Sequence, residues 1–240
     1  MEPIIEINDL EVKYGDFTVL EDINLMIPEG KITAILGGSG CGKTTLIKSL
    51  LQLQPIAQGS IKIFQTDVDS SDFRNQLTKI GMVFQNGALL NSLSVAENIS
   101  IPLKQHTNLP DKIINQIIDA KLNLVNLEES GSLLPSELSG GMKKRAAVAR
   151  AIALDPRLLF CDEPSAGLDP ITSASLDNLL VKLKQQLEMT IVIVTHELSS
   201  VRRIADNIVF LHDGRILFQG SYEQIQHSNI GEIIQFFSSN

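Results

Sequence analysis

The sequence is short of several residue types, and each shortage excludes a class of protein. Among its 240 residues there are two cysteines and no tryptophan, and 5% of the residues are aromatic. Cys41 and Cys161 are too few for a disulfide framework and match no zinc-binding spacing, so we expect reduced thiols. No run approaches the roughly 18 consecutive apolar residues that a membrane-spanning helix needs.

Positive charge is also scarce. Twenty Lys and Arg stand against 28 Asp and Glu, a net charge of -8. Such a chain gains little from the counterion release that drives nucleic-acid binding, so we expect no nucleic-acid partner. The amino-terminal residues MEPIIEINDLEVKYG lack the basic-then-apolar order of a signal peptide. The chain is therefore predicted to stay in the cytoplasm and to reach any membrane through a separate partner.

The hydrophobic pattern predicts an α/β fold. Alternating apolar residues at 4–13 and 18–27 predict an antiparallel sheet, and KITAIL at 31–36 predicts a fully buried strand. Helical spacing predicts helices at 111–128 and 171–188, and short apolar runs predict strands at 158–161 and 191–194. We predict one domain of 1–240, with a core formed by 1–87 and 155–220, an inserted helical subdomain at 88–154 and a tail at 221–240.

A glycine-rich segment lies between the predicted strand 31–36 and a helix expected from Lys43 to about Leu53. It fits G-x-x-x-x-G-K-[ST], in which glycines let backbone N–H groups surround phosphates and the helix adds its positive end. Lys43 would reach the outer phosphates, and the Thr44 hydroxyl could bind Mg²⁺. The residues expected to bind ATP here are Gly37, Gly38, Ser39, Gly40, Cys41, Gly42, Lys43, Thr44 and Thr45.

Two acidic residues end the predicted strand at 158–161. Ligands of open α/β sheets bind where parallel strands end, so Asp162 and Glu163 are expected at such an edge. Asp162 would hold Mg²⁺, and Glu163 would polarise the attacking water. A lone Asp-Glu pair is more often a solvated turn, but an upstream phosphate loop and a buried strand favour catalysis.

A second candidate phosphate-binding segment is Leu-Ser-Gly-Gly-Met at 138–142. Ser139 is placed to cap a helix running from about Met142 to Leu154, and Gly140 and Gly141 leave backbone N–H groups open. Lys143, Lys144 and Arg145 oppose the helix dipole, a cost that a bound anion would offset. Taken alone, the segment would more often be an ordinary capped helix with a solvated basic face.

Together these segments resemble the ATPase subunits of ABC transporters. GGSGCGKT resembles Walker A, LLFCDE resembles Walker B and LSGGM resembles the LSGGQ signature. The resemblance implies a P-loop NTPase core of the ABC type, which uses ATP and Mg²⁺. It further implies that Gln85 senses Mg²⁺ and water, that His196 contacts the γ-phosphate, that Tyr14 stacks on adenine and that Asp169 lies at a dimer contact.

The resemblance also implies a homodimer in which each ATP lies between one subunit's phosphate loop and its partner's Ser139, Gly140 and Gly141. Met142 departs from the family's glutamine, but the glycine N–H groups survive the change, so activity is expected to survive as well. Cys41 is interpreted as a neutral filler of the loop. The alternative is that its oxidation blocks nucleotide binding.

Two longer segments resemble the ATPases of Mla-type phospholipid transporters, QNGALLNSLSVAENISIPLKQHTNLP at 85–110 and LLPSELSGGMKKRAAVARAIALDP at 133–156. This resemblance implies an integral membrane permease, an MCE lipid-binding protein and a STAS-domain subunit as partners. It places the chain at the cytoplasmic side of the bacterial inner membrane. The alternatives are an ATPase for another import system, such as one for polar amino acids, a mechanical ATPase acting on nucleic acid or ribosomes, and a binding module without hydrolysis.

Overall fold

A computed structural model describes residues 2–239 of the chain. In chain order the strands are β1 (Pro3–Tyr14), β2 (Phe17–Pro28), β3 (Ile32–Leu36), β4 (Gln58–Ile63), β5 (Thr66–Asp67), β6 (Ile80–Val83), β7 (Leu158–Asp162), β8 (Thr190–Val194), β9 (Asn207–His212) and β10 (Arg215–Gly220). The helices are α1 (Lys43–Leu50), α2 (Val95–His106), α3 (Asp111–Leu124), α4 (Gly140–Ala151), α5 (Pro170–Gln186), α6 (Leu198–Ile204), α7 (Tyr222–Gln226) and α8 (Gly231–Ser239).

Contacts divide the chain into two compact units. The first contains the residues up to Leu77 together with those from Thr190 onwards, and the second is Thr78–Met189. None of the helices within residues 2–239 is both long enough and apolar enough to cross a membrane.

An antiparallel sheet in the first unit has the strand order β2-β1-β4-β5, as the alternation predicts for its first two strands. The apolar positions of β1 change phase between Ile7 and Leu10, and the register shifts at the same point. Asp9 provides the extra residue in a left-handed conformation with φ 48°. Its N–H donates to the Asn24 side chain over 3.0 Å. The bulge keeps both halves of the strand facing the core.

A second set of strands in the first unit surrounds β3, in the order β10-β9-β3-β8. All five residues of β3 are buried, and the strand pairs in parallel with β8 on one side and β9 on the other. Because all five side chains are buried, both faces of the strand are covered, which explains its mainly apolar sequence. The tail packs on the same strands, because Ile225 of α7 and Ile233 of α8 join the cluster that contains Phe210.

The second unit contains the parallel pair β6 and β7 together with α2, α3, α4 and α5. Helix α3 ends at Leu124, four residues before the predicted end. Asn126 takes up a left-handed conformation with φ 55°. The Leu127 N–H donates to the Leu122 carbonyl over 2.9 Å, and the Asn126 N–H donates to Asn123. These are the hydrogen bonds of a Schellman motif, which terminates a helix.

Asn98 of α2 organises the segment before its helix. The side chain is fully buried. Its Oδ1 accepts from the Leu90 N–H over 2.8 Å. Its Nδ2 donates to the carbonyls of Leu90, Leu93 and Ser94 at 2.9–3.1 Å. One amide thus bonds four backbone groups of the segment before α2, so it fixes the path of residues 90–94.

We expect Asn98→Ala to lower the free energy of unfolding by about 2–4 kcal/mol, because it removes four buried hydrogen bonds and leaves the Leu90 N–H and the Leu93 carbonyl without this partner. Urea denaturation followed by circular dichroism measures the change. The control is Asn91→Ala, at an exposed asparagine of the same segment, for which a change within about 0.5 kcal/mol is expected. Equal stabilities of the two variants would contradict the role given to Asn98.

Candidate functional site

The predicted phosphate loop joins β3 to α1 in the first unit. Lys43, the first residue of α1, is 9% exposed. Its Nζ donates to the Gly37 and Gly38 carbonyls over 2.9 and 2.8 Å. The lysine therefore curls back over its own loop and places its charge inside the bend. The first N–H groups of α1 add the positive end of the helix dipole at the same place.

Contacts from the β9–β10 hairpin leave no room for a side chain at Gly37. A Cβ there would lie 2.2 Å from the Leu211 carbonyl oxygen and 2.6 Å from the Cys41 sulfur. The same hairpin supports the loop through the Gly214 N–H, which donates to the Cys41 carbonyl over 3.2 Å. Any larger residue at position 37 would displace the loop from β9.

The Cys41 side chain fills space under the loop. It is 7% exposed, and burial raises the pKa of its thiol despite the opposing charge of Lys43. The pKa of the fully buried Cys161 is raised by desolvation and by Asp162. Both thiols therefore stay protonated near neutral pH, and a protonated thiol is a poor nucleophile. This favours the interpretation of Cys41 as a filler.

A cavity of about 140 Å³ opens over the loop, and Val19 of β2 forms part of its wall. Val19 was not among the predicted site residues, because nothing in the sequence connects β2 with a loop that follows β3. The other lining residues are Gly40, Gly42, Lys43, Thr44 and Thr45. The structure thus brings together most of the residues that the phosphate-loop motif predicts.

Two further predicted residues lie in the first unit. His196 is exposed and follows β8, next to the strand that leads into the phosphate loop. The Thr195 N–H donates to the Ile35 carbonyl over 3.2 Å, so the pairing of these strands continues almost to His196. Tyr14 ends β1 opposite Phe17, and both rings are well exposed, at 46% and 71%. Phe17 is an aromatic neighbour that the motifs do not indicate.

The second unit holds the acidic pair and Gln85 at the ends of adjacent parallel strands. Val83 of β6 pairs with Cys161 of β7, and Gln85 follows the first strand as Asp162 ends the second. Glu163 is 9% exposed and has a left-handed backbone, with φ 46°. This conformation is unfavourable for a residue with a side chain, so surrounding contacts must hold it.

Ser139 caps α4, as predicted, and its Oγ accepts from the Met142 N–H over 3.3 Å. The helix begins two residues earlier than expected, at Gly140. A Cβ on Gly141 would lie 2.6 Å from Cγ2 of Thr172 on α5. Glycine is therefore required at position 141 for packing within the chain, independently of any nucleotide.

Asp169 is exposed and caps α5. Its carboxylate accepts from the Ile171 and Thr172 N–H groups over 3.0 and 3.1 Å and from the Thr172 hydroxyl over 2.5 Å. Hydrogen bonds from Thr172 hold the pKa of Asp169 below its ordinary value. The carboxylate thus shapes the start of α5, next to the threonine that packs on Gly141.

The interpretation of residues 143–145 as a solvated basic face is wrong for two of them. Lys143 is exposed. Lys144 is buried and donates to the Gln85 and Glu163 carbonyls. Arg145 donates to the Val125 carbonyl and the Ser175 hydroxyl over 2.9 and 2.8 Å. Long aliphatic arms carry both charges to internal acceptors, so these two residues need no anion at the helix start.

The residues proposed to hold Mg²⁺ offer oxygen donors. Thr44 supplies a hydroxyl, Asp162 a carboxylate and Gln85 an amide oxygen, which suit a hard cation. Thr44 belongs to the first unit, and the other two belong to the second. Within residues 2–239, no three or more His, Cys, Asp or Glu side chains are grouped to hold a metal by themselves.

Known proteins resemble the chain along most of its length. It is 40% identical over 237 residues to the intermembrane phospholipid transport system ATP-binding protein MlaF of Haemophilus influenzae, covering 97% of this chain and 89% of that protein. It is 38% identical over 237 residues to the probable ribonucleotide transport ATP-binding protein Mkl of Mycobacterium tuberculosis. This second match covers 98% of this chain and 66% of that protein.

A solved structure confirms the predicted fold class. The dimeric ATP-binding cassette MJ0796, bound to ADP and Pi, matches with a TM-score of 0.81 and 28% identity, covering 90% of this chain and 98% of that one. The profile of the ABC transporter family matches residues 20–166, more than half of the sequence. The chain therefore belongs to the ABC transporter family, as a nucleotide-binding subunit that hydrolyses ATP.

Proposed function

We propose that the chain energises phospholipid transport between the inner and outer membranes by hydrolysing ATP for a separate permease. The phosphate loop is the observation that supports ATP binding and hydrolysis, because Lys43 lies inside its bend and a cavity opens above it. The phospholipid part is supported by 40% identity to a phospholipid-transport ATP-binding protein over 97% of this chain.

The first unit binds the nucleotide in this proposal. Backbone N–H groups of residues 37–45 donate hydrogen bonds to the phosphates. Lys43 releases the Gly37 and Gly38 carbonyls and donates to phosphate oxygens instead. Tyr14 stacks on adenine, and His196 contacts the γ-phosphate from the neighbouring strand. An ammonium that is already desolvated and held in place needs little rearrangement to stabilise the charge of the transferred phosphoryl group.

The second unit supplies the catalytic carboxylate. Glu163 orients and polarises the attacking water from its position directly after β7. Thr44, Gln85 and Asp162 would hold Mg²⁺, which would neutralise charge on the phosphate oxygens. Phosphoryl transfer depends mainly on positioning and charge stabilisation, and these residues serve both purposes.

Two copies of the chain form the working ATPase. Ser139, Gly140 and Gly141 of one copy cover the ATP bound to the phosphate loop of the other, and Asp169 lies at the contact. The dimeric form of the cassette MJ0796 supports this arrangement. The dimer sits at the cytoplasmic face of the bacterial inner membrane as a peripheral subunit. Its partners are the permease, a STAS-domain subunit and an MCE lipid-binding protein.

We expect Lys43→Ala to weaken ATP binding about 10- to 100-fold, because it removes charged hydrogen bonds to the phosphates. Titration with a fluorescent ATP analogue measures the affinity. Lys48→Ala is the matched control, since Lys48 is an exposed lysine of the same helix. ATP affinity of the Lys43 variant equal to that of the control would exclude a nucleotide-binding role for the loop.

We expect Glu163→Gln to bind ATP normally while hydrolysis falls on the order of a hundredfold or more, because an amide cannot polarise the attacking water. Unhydrolysed ATP should then keep two copies together, giving a dimer in gel filtration with ATP. Adding Ser139→Arg to this variant should return it to a monomer that still binds ATP. A monomer with Glu163→Gln alone, or a dimer with both substitutions, would contradict the composite site.

The cargo is tested by isolating the complex from native membranes through a tag on the chain and identifying co-purified molecules by mass spectrometry. We expect a permease with several membrane spans and phospholipids in excess over the bulk membrane. Enrichment of ribonucleotides would instead favour the activity named for the mycobacterial relative. Co-purification with RNA and without a membrane protein would favour a mechanical ATPase.

A further inference from the structure

Lys144 connects three functional segments of the second unit. It lies on α4, five residues after the capping Ser139, and is 8% exposed. Its Nζ donates to the Gln85 carbonyl and, over 3.4 Å, to the Glu163 carbonyl. One ammonium group therefore joins α4 to Gln85, which lies two residues after β6, and to Glu163, which directly follows β7.

A second cation of α4 holds the same loop further along. The guanidinium of Arg150 donates to the Ala88 carbonyl over 2.7 Å and to the Gly87 carbonyl over 2.9 Å. The backbone from Gln85 to Ala88 is thus attached to α4 through charged hydrogen bonds from its second turn and from its last turn. These bonds are shorter and stronger than those between neutral groups.

Burying an ammonium group costs more free energy than burying an apolar side chain of similar volume. Removing its charge from water costs free energy, and carbonyl oxygens recover that cost only in a favourable geometry. An apolar side chain would pack at this position without the penalty. The placement therefore indicates a requirement for polar partners, the Gln85 and Glu163 carbonyls among them, rather than for volume.

We infer that Lys144 is a positioning residue for hydrolysis. It holds the backbones of Gln85 and Glu163 at a fixed separation and attaches both of them to α4. This inference rests on the proposed catalytic role of Glu163. The left-handed backbone of Glu163 is intrinsically unfavourable, and a charged bond to its carbonyl opposes relaxation to an ordinary conformation. Without that bond, the Glu163 carboxylate is no longer positioned to orient the attacking water, whereas the phosphate loop is unaffected.

The test compares three substitutions at position 144 in the transporter complex purified from membranes. Lys144→Met keeps the arm and removes the donors, Lys144→Arg keeps the donors and the charge, and Lys144→Gln keeps a neutral donor. The matched control is Lys182→Met, at an exposed lysine of α5. For each variant, kcat and KM of ATP hydrolysis, affinity for a fluorescent ATP analogue and the urea unfolding midpoint are measured.

We expect Lys144→Met to lower kcat at least fivefold with nucleotide affinity within twofold of wild type, since only positioning for hydrolysis is lost. Lys144→Arg should recover at least half of kcat, and Lys182→Met should match the wild type. A kcat of Lys144→Met within twofold of wild type would overturn the inference. So would a parallel loss of nucleotide affinity and kcat in a folded variant.

If Lys144→Met does not fold, the same measurements are made on Lys144→Gln. Reduced kcat with unchanged affinity then supports the inference, and wild-type kcat overturns it. A failure of the proposed function gives a different result from a failure of the role proposed for Lys144. If the wild-type complex hydrolyses no more ATP than one carrying Lys43→Ala, the ATPase assignment is wrong. If the wild type is active and Lys144→Met is equally active, only the role of Lys144 is lost.

Discussion

The contact between Gly37 and the Leu211 carbonyl is the tightest constraint on the nucleotide site. Strands β3 and β9 run in parallel, and the chain leaving β3 passes so close to the end of β9 that only a hydrogen atom fits at position 37. The loop must therefore bend away at once, and its carbonyls turn inward to Lys43. The cavity, the start of α1 and the position of the lysine all follow from that bend.

Much of this arrangement is readable in the sequence because it depends on local patterns. The phosphate loop is defined by glycine and lysine spacing, and Ser139 caps its helix as its position predicts. The phase change between Ile7 and Leu10 also indicates a bulge, since only an extra residue keeps both halves facing inward. The start of α2 is also indicated by the sequence, because Ser94 and Glu97 have the spacing of a capping box and form one.

Features that depend on distant packing could not be predicted in this way. Lys144 and Arg145 are adjacent basic residues in the first turns of a helix, and sequence alone suggests that both face solvent. Their carbonyl acceptors lie on strand ends and helices that meet α4 only after folding. The role of Val19 is hidden for the same reason. The end of α3 is an intermediate case, because Asn126 is a known type of helix terminator whose signal the apolar periodicity obscured.

The hairpin that supports the phosphate loop has a consequence for biogenesis. Leu211 and Gly214 follow the phosphate loop in the sequence, so they leave the ribosome well after the loop that they support. Domains generally fold as units as synthesis proceeds. A growing chain that ends before β9 has the complete nucleotide motif but not the backbone that shapes it. The phosphate loop of a nascent chain thus gains this backbone support only after the β9–β10 hairpin has been made.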